Sequence, residues 1–212
     1  MTDTTARRGR PKVRDEVAAL KRQRTLDAAT DLFYERGYTN TTLDDVAARL
    51  GVTKPFVYTN FGSKPQLLAE ICGVGIRSAL DEIEAALAEG APTLATMQRF
   101  APRYVASVLR TQKNIAVNIR EEKNLLPEHA RELAALRQTF MARMETLVAG
   151  AARDGGVALP DPRVAAFAIV GAVSWSTFWF HADGPLTAEA LSGKMTGIIL
   201  HILAGDEVES AP

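Results

Sequence analysis

Lys54, Phe56, Tyr58, Thr59 and Asn60 fall within seven consecutive residues, with Thr53 just before them and Lys64 shortly after. Amines, a phenol and an amide at this density suit contact with a polyanion that also carries readable edges. Lysine, tyrosine and threonine side chains bond phosphate oxygens, which positions a protein on duplex DNA without reading its sequence. Asparagine can bond an adenine edge bidentately, and Phe or a Thr methyl can touch a thymine methyl. Lys54, Tyr58, Lys64 and Thr42 are therefore expected at phosphates and Phe56, Thr59 and Asn60 at base edges, with Thr53 a further DNA-binding candidate. Arg8 and Arg10, in the run RGRPK, would add affinity from a basic arm. Such an arm either lies in a narrow A·T-rich minor groove, where negative potential is enhanced, or binds phosphates generally.

Presenting these groups together requires short helices. Thr42 can cap a first helix, with Asp45 placed to complete a capping box. Val46, Ala47 and Leu50 recur at helical spacing, and Gly51 permits the left-handed backbone that ends the helix. Thr53 can cap a second helix, with Pro55 in its first turn, where a missing N–H costs little. Val57 and Phe61 continue the apolar face to Gly62, and Ser63 is placed to cap a third. Two helices joined by a glycine turn read either as an ordinary helical hairpin or as a helix-turn-helix whose second helix enters the major groove. The polar outer face favours the second reading, because a core hairpin has no need of it.

At 212 residues the chain can bury one or two cores. Equal numbers of acidic and basic residues, 25 each, argue against indiscriminate nucleic-acid binding. The charge is uneven, however: residues 1–64 carry a net of +4 and the remainder −4. That suits a DNA-binding module joined to a part that does not touch DNA. A single cysteine, Cys72, excludes an internal disulfide and a multi-cysteine metal site; it reads as a small buried hydrophobe rather than a redox sensor. His129, His181 and His201 are scattered, and no HExxH, GxSxG or glycine-rich phosphate loop is present, so neither enzyme, metal nor cofactor is expected. The polar, basic start lacks an apolar signal region, which predicts a cytoplasmic protein.

Along the chain the expectation is all-α. Residues 1–14 read as a disordered basic arm, 15–62 as the helix-turn-helix domain and 63–212 as a second, dimerising domain. Helices are predicted over Asp15 to Arg36 (with Val17, Leu20, Ala28, Ala29, Leu32 and Phe33 buried) and from Ser63 to beyond Leu87. Further helices are predicted over Thr93–Arg110, Asn114–Leu125, Glu128–Arg153, Asp161–Phe180 and Thr187–Ala204. The uncharged run Val164–Phe180 is at the short edge of a membrane span, but Ser174, Ser176 and Thr177 interrupt it and no positive flank anchors it. A helix apolar all round is better buried between its own core and a second subunit. Gly171, Trp175 and Phe178, with Leu191, Met195, Ile198, Ile199 and Ile202 of the last helix, are the expected dimer interface.

The run from Leu26 to Leu68 resembles the DNA-binding domain of the TetR family of transcriptional regulators. The matching residues are Ala28-Ala29, Leu32-Phe33, Gly37-Tyr38, Thr41-Thr42, Asp44 to Ala47, Gly51 to Thr53, Val57-Tyr58, Phe61, Ser63-Lys64 and Leu67-Leu68. Thr59 and Asn60 stand where that family often has an aromatic or basic residue, so the resemblance does not say which base is read. It implies a homodimer on a palindromic operator and a small-molecule pocket in the rear half. Phe100, Arg103, Tyr104, Asn118, Arg120, Glu121, Phe140, Met144, Trp175 and Trp179 are the candidate lining, with plain core as the alternative for the aromatics. The rear pattern, REE…LLP and then GAVSW…W…DGPLT, is similar to regulators that sense acyl-coenzyme A thioesters, for which Arg103 or Arg120 would hold the head group. A lipophilic drug-like effector of an efflux regulator and a ligand-independent DNA-binding protein are the alternatives. Release of DNA is expected to pass through the helix beginning at Ser63.

Overall fold

The computed structural model describes residues 13–204, and every regular element among them is helical. The arm bearing Arg8 and Arg10 lies outside the described residues. In order, the helices are α1 (Val13–Arg36), α2 (Leu43–Leu50), α3 (Lys54–Phe61), α4 (Lys64–Ala88), α5 (Leu94–Arg110), α6 (Gln112–Glu121), α7 (Pro127–Asp154), α8 (Pro162–Trp179) and α9 (Ala188–Ala204), with a 3₁₀ turn at Glu122–Asn124 after α6. The chain divides into two compact units, one up to Leu67 and one from Leu68 onward. No described helix is long and apolar enough to cross a membrane.

In the first unit, α2 packs on both α1 and α3. Leu26, Ala29, Leu32 and Phe33 of α1 meet Leu43, Val46 and Ala47 of α2 and Val57 and Phe61 of α3 in a buried core. Val17 and Leu20, expected in that core, are exposed instead. The reason is length: α1 has 24 residues, whereas α2 and α3 have eight each and cannot cover its first turns. Gly51, at φ +65°, makes the left-handed turn, and its N–H and that of Val52 return to carbonyls of α2.

In the second unit, α5 runs at the centre against α7, α8 and α9. Phe100 stacks on Tyr104 at 5.3 Å, and Tyr104 meets Phe140 of α7 at 5.6 Å. The helix predicted to Leu125 stops earlier, at Glu121. Leu126 precedes Pro127 and takes an extended backbone, as a residue before proline must. At the other end of α7, Gly150 lies against the chain leading into α5: a Cβ there would overlap the carbonyl oxygen of Pro92. Because a backbone atom cannot step aside cheaply, Gly150→Ala is expected to destabilise the protein by about 1–3 kcal/mol, read as a lower melting temperature.

The last two helices correct part of the expected dimer face. Leu191, Met195 and Ile199 are buried in the chain's own core, while Ile198 and Ile202 are exposed. On α8, Trp175, Phe178 and Trp179 are also exposed, with Val173, Ser176 and Thr177 inward.

Candidate nucleic-acid interface and effector cavity

Helix α2 starts on a complete capping box. The Thr42 hydroxyl accepts from the Asp45 N–H at 3.1 Å, and the Thr42 N–H donates to the Asp45 carboxylate at 2.7 Å. The Thr42 hydroxyl also donates to that carboxylate at 2.6 Å, and this bond, together with the one from the Thr42 N–H, holds the Asp45 carboxyl below the usual carboxylate range. Thr53 occupies the N-cap of α3, but its hydroxyl makes no capping bond, contrary to the role expected for it. The first turn of α3 thus begins with an exposed hydroxyl, a proline and the positive end of a helix, a suitable place for an anion.

Val57 and Phe61 anchor α3 in the core, which turns Lys54, Tyr58 and Thr59 outward. Phe56 and Asn60 are half-buried. Lys54 donates to Asp44 at 2.8 Å, and that carboxylate raises its pKa. Both side chains are more than half exposed, so the pair contributes little and a phosphate can replace the carboxylate at small cost. The Lys54 Nζ also lies 5.8 Å from the Tyr58 ring. Lys64 sits 4.2 Å over the ring of Tyr38, and that place adds Tyr38, otherwise only part of the sequence motif, to the candidate phosphate contacts. The Asn60 amide donates to the Phe56 carbonyl within α3 at 2.7 Å. Bidentate reading of adenine would therefore require that amide to turn. Tyr58→Ala is expected to weaken binding to all operator variants alike, and Asn60→Ala to relax preference at one position. Affinities measured over a set of single-base operator variants check both; equal loss on every variant for Asn60→Ala removes it from base reading.

The second unit contains a cavity of about 400 Å³ between α4, α5, α6, α7 and α8. Gly75, Ile76, Ala79, Val108, Ile115, Met141 and Val170 give it an apolar wall, and Tyr104, Asn118, Arg137 and Ser174 supply its polar groups. The Tyr104 phenol is hydrogen-bonded to Ser174 and held neutral by burial, which raises its pKa. Of the expected lining, Tyr104, Asn118 and Phe140 are in place. Phe100 and Met144 are core residues behind the wall rather than in it. Trp175 and Trp179 point away, on the outer side of α8. Arg103 is paired with Glu82 and Glu89, and Arg120 with Glu121, which itself is buried and also accepts from Asn124 at 2.8 Å; none of the three lines the cavity. The arginine that does line it is Arg137, which periodicity did not single out. A second cavity of about 450 Å³ shares Arg137, Met141 and Phe167 with the first and adds Gln138, Glu145 and Arg163.

Cys72 is buried, and desolvation, with Glu122 adding to it, pushes its thiol pKa up to about 12. A thiol reagent at pH 8 is accordingly expected to label the native protein far more slowly than the unfolded chain. Labelling of the folded protein at the rate of a free thiol would contradict this environment.

Residues 26–71 match the family model described as bacterial regulatory proteins, tetR family, and residues 90–203 match the model of the tetracyclin repressor-like C-terminal domain. The transcriptional repressor KstR2 of Rhodococcus jostii is 25% identical over 202 residues, spanning 92% of this chain and 97% of the relative. The repressor Rv3405c of Mycobacterium tuberculosis is 46% identical over 67 residues, 32% of this chain and 34% of its own. Among solved structures, the regulator PfmR of Thermus thermophilus superposes with a TM-score of 0.75 at 28% identity, covering 84% of this chain and 97% of that one. AibR, solved in complex with isovaleryl coenzyme A and operator DNA, superposes with a TM-score of 0.71 at 25% identity, covering 85% of this chain and 98% of AibR.

Proposed function

The chain belongs to the TetR family of transcriptional regulators, and on that premise we propose that it is a homodimeric repressor that leaves a palindromic operator when a hydrophobic or acyl-coenzyme-A-type effector fills the cavity of its second unit. The observation that carries this reading is the cavity itself: an apolar space of about 400 Å³ with a few converging polar groups. Spaces of that size and lining hold small-molecule ligands and fix their orientation. Gly75, Ile76 and Ala79 of its wall belong to α4, the same helix whose first residue, Lys64, is a candidate phosphate contact. An effector that fits better against one arrangement of α4 shifts the population toward it. AibR is a relative in which a coenzyme A thioester and operator DNA are bound to one protein.

The dimer is supported by the outer side of the last two helices. Phe167, Trp175, Phe178, Trp179, Ile198 and Ile202 are all exposed in the single chain, Trp175 by 63%. Gly171, Gly193 and Gly197 leave open space around them, so another backbone can approach closely. Apolar area of this kind marks a contact surface. Two copies related by a two-fold axis would present two α3 helices to half-sites about 34–36 Å apart.

Sequencing genomic fragments retained by the protein tests the reading. An inverted repeat with half-sites one helical turn apart is expected; absence of any enriched sequence would overturn it. A thermal-shift panel of acyl-coenzyme A thioesters tests the effector class, because a ligand of the native state raises stability by mass action.

A further inference from the structure

Among the described residues that line the cavity, Arg137 alone is charged. Its Nη1 donates to Glu122 Oε1 at 2.7 Å, and its Nη2 donates to Asn118 Oδ1 at 3.3 Å. We propose that Arg137 is the receptor for an anionic group on the effector, which is an apolar body ending in a carboxylate or phosphate, and that this group binds by displacing Glu122. The inference rests on the effector reading of the cavity and specifies its chemistry.

A guanidinium beside an apolar wall needs a counter-charge, and Glu122 supplies one. The Arg137 side chain is 37% exposed and that of Glu122 is 46% exposed. A carboxylate released at that exposure is taken up by water at little cost. An anion inside the cavity, in contrast, would be strongly disfavoured without a cation. The exchange is therefore nearly balanced on the protein's side and selective on the ligand's. The two observed bonds use two of the five N–H donors of the guanidinium, so a planar carboxylate or a phosphate can be gripped by a pair of them.

The position of Glu122 gives the exchange a consequence. It opens the 3₁₀ turn Glu122–Asn124 between α6 and α7, next to Glu121, which Arg120 and Asn124 hold. Moving Arg137 from Glu122 to a ligand thus releases the turn that joins α6 to α7. Arg137 also lines the second cavity with Arg163, leaving room for an anionic group that extends past the first.

Calorimetric titration of the full chain with octanoate, octanoyl-coenzyme A and octanol tests this. The wild type is expected to bind at least one anionic probe about tenfold or more tighter than the alcohol. R137Q should lose that preference while keeping its affinity for octanol, and Glu122→Gln, which leaves Arg137 unopposed, should tighten the anionic probe severalfold. Glu122→Gln stands as an independent test should R137Q fail to fold. A preference for the thioester that Arg163→Gln reduces identifies a phosphorylated ligand, and a preference for octanoate indifferent to Arg163→Gln identifies a free acid. If the wild type binds octanoate, thioester and alcohol equally, or R137Q keeps the preference, Arg137 is not the receptor although the cavity remains a binding site. If no probe binds the wild type at all, the effector reading falls together with this one.

Discussion

Trp175→Glu is expected to leave the chain folded but monomeric, and to cut operator affinity by roughly a hundredfold or more. Within one chain the indole is 63% exposed and lies beside the half-exposed ring of Phe178, at a ring separation of 4.6 Å, so its loss hardly disturbs the core. In a dimer the same position is covered, and a carboxylate there would be buried without a partner. One uncompensated buried charge costs about 3–5 kcal/mol, and the two-fold axis applies that twice. Operator affinity falls because each half-site alone is held weakly; the second α3 binds at high effective concentration only while the copies are joined. Sedimentation equilibrium should show the mass drop from two chains to one, with an unchanged helical circular dichroism spectrum. A variant that remains dimeric would remove this face from the interface.

Phe100→Ala is expected to lower stability by about 3–5 kcal/mol, the range for truncating a fully buried aromatic ring. The ring has no exposed surface and lies nearly parallel to Tyr104, at an interplanar angle of 9°. Tyr104 in turn touches Phe140 and lines the cavity, so the void left by Phe100 opens directly behind the cavity wall. For a chain of this length the melting temperature should drop by about 10 °C. Loss of a lining residue such as Ile119, which is 53% exposed, should cost far less. A drop of only a degree or two for Phe100→Ala would mean that the stack is not the centre of this core.

The helix-turn-helix could be read from single residues because local chemistry determines it. Thr42 and Asp45 form the expected capping box, Gly51 takes the expected left-handed turn, and Val57 and Phe61 face inward as spacing required. The cap by Thr53 failed because its side-chain rotamer, unlike its backbone position, does not follow from its place in the sequence. The cavity was legible only in part. Tyr104, Asn118 and Phe140 were found, but Trp175 and Trp179 were placed in it because α8 is apolar on both sides and periodicity cannot tell an inner face from an outer one. On a straight helix Leu191, Met195, Ile198, Ile199 and Ile202 form one stripe about 100° wide, so only the neighbours of α9 divide them into core and surface. Arg137 leaves no sequence signal for a related reason: its partners Asn118 and Glu122 are 19 and 15 residues away, and no local pattern connects them.

On the function proposed here, filling the cavity of the second unit releases DNA from the first. Fluorescence anisotropy of a labelled operator, at fixed salt, measures it directly. The protein is titrated onto the operator alone and then in the presence of whichever octanoyl-series ligand calorimetry shows to be bound at saturation. The operator Kd is expected to rise by about tenfold or more, within the 5–150-fold range usual for coupled sites, and the same ligand to bind correspondingly more weakly to the DNA-bound protein. An operator Kd unchanged by a saturating, demonstrably bound ligand would contradict it.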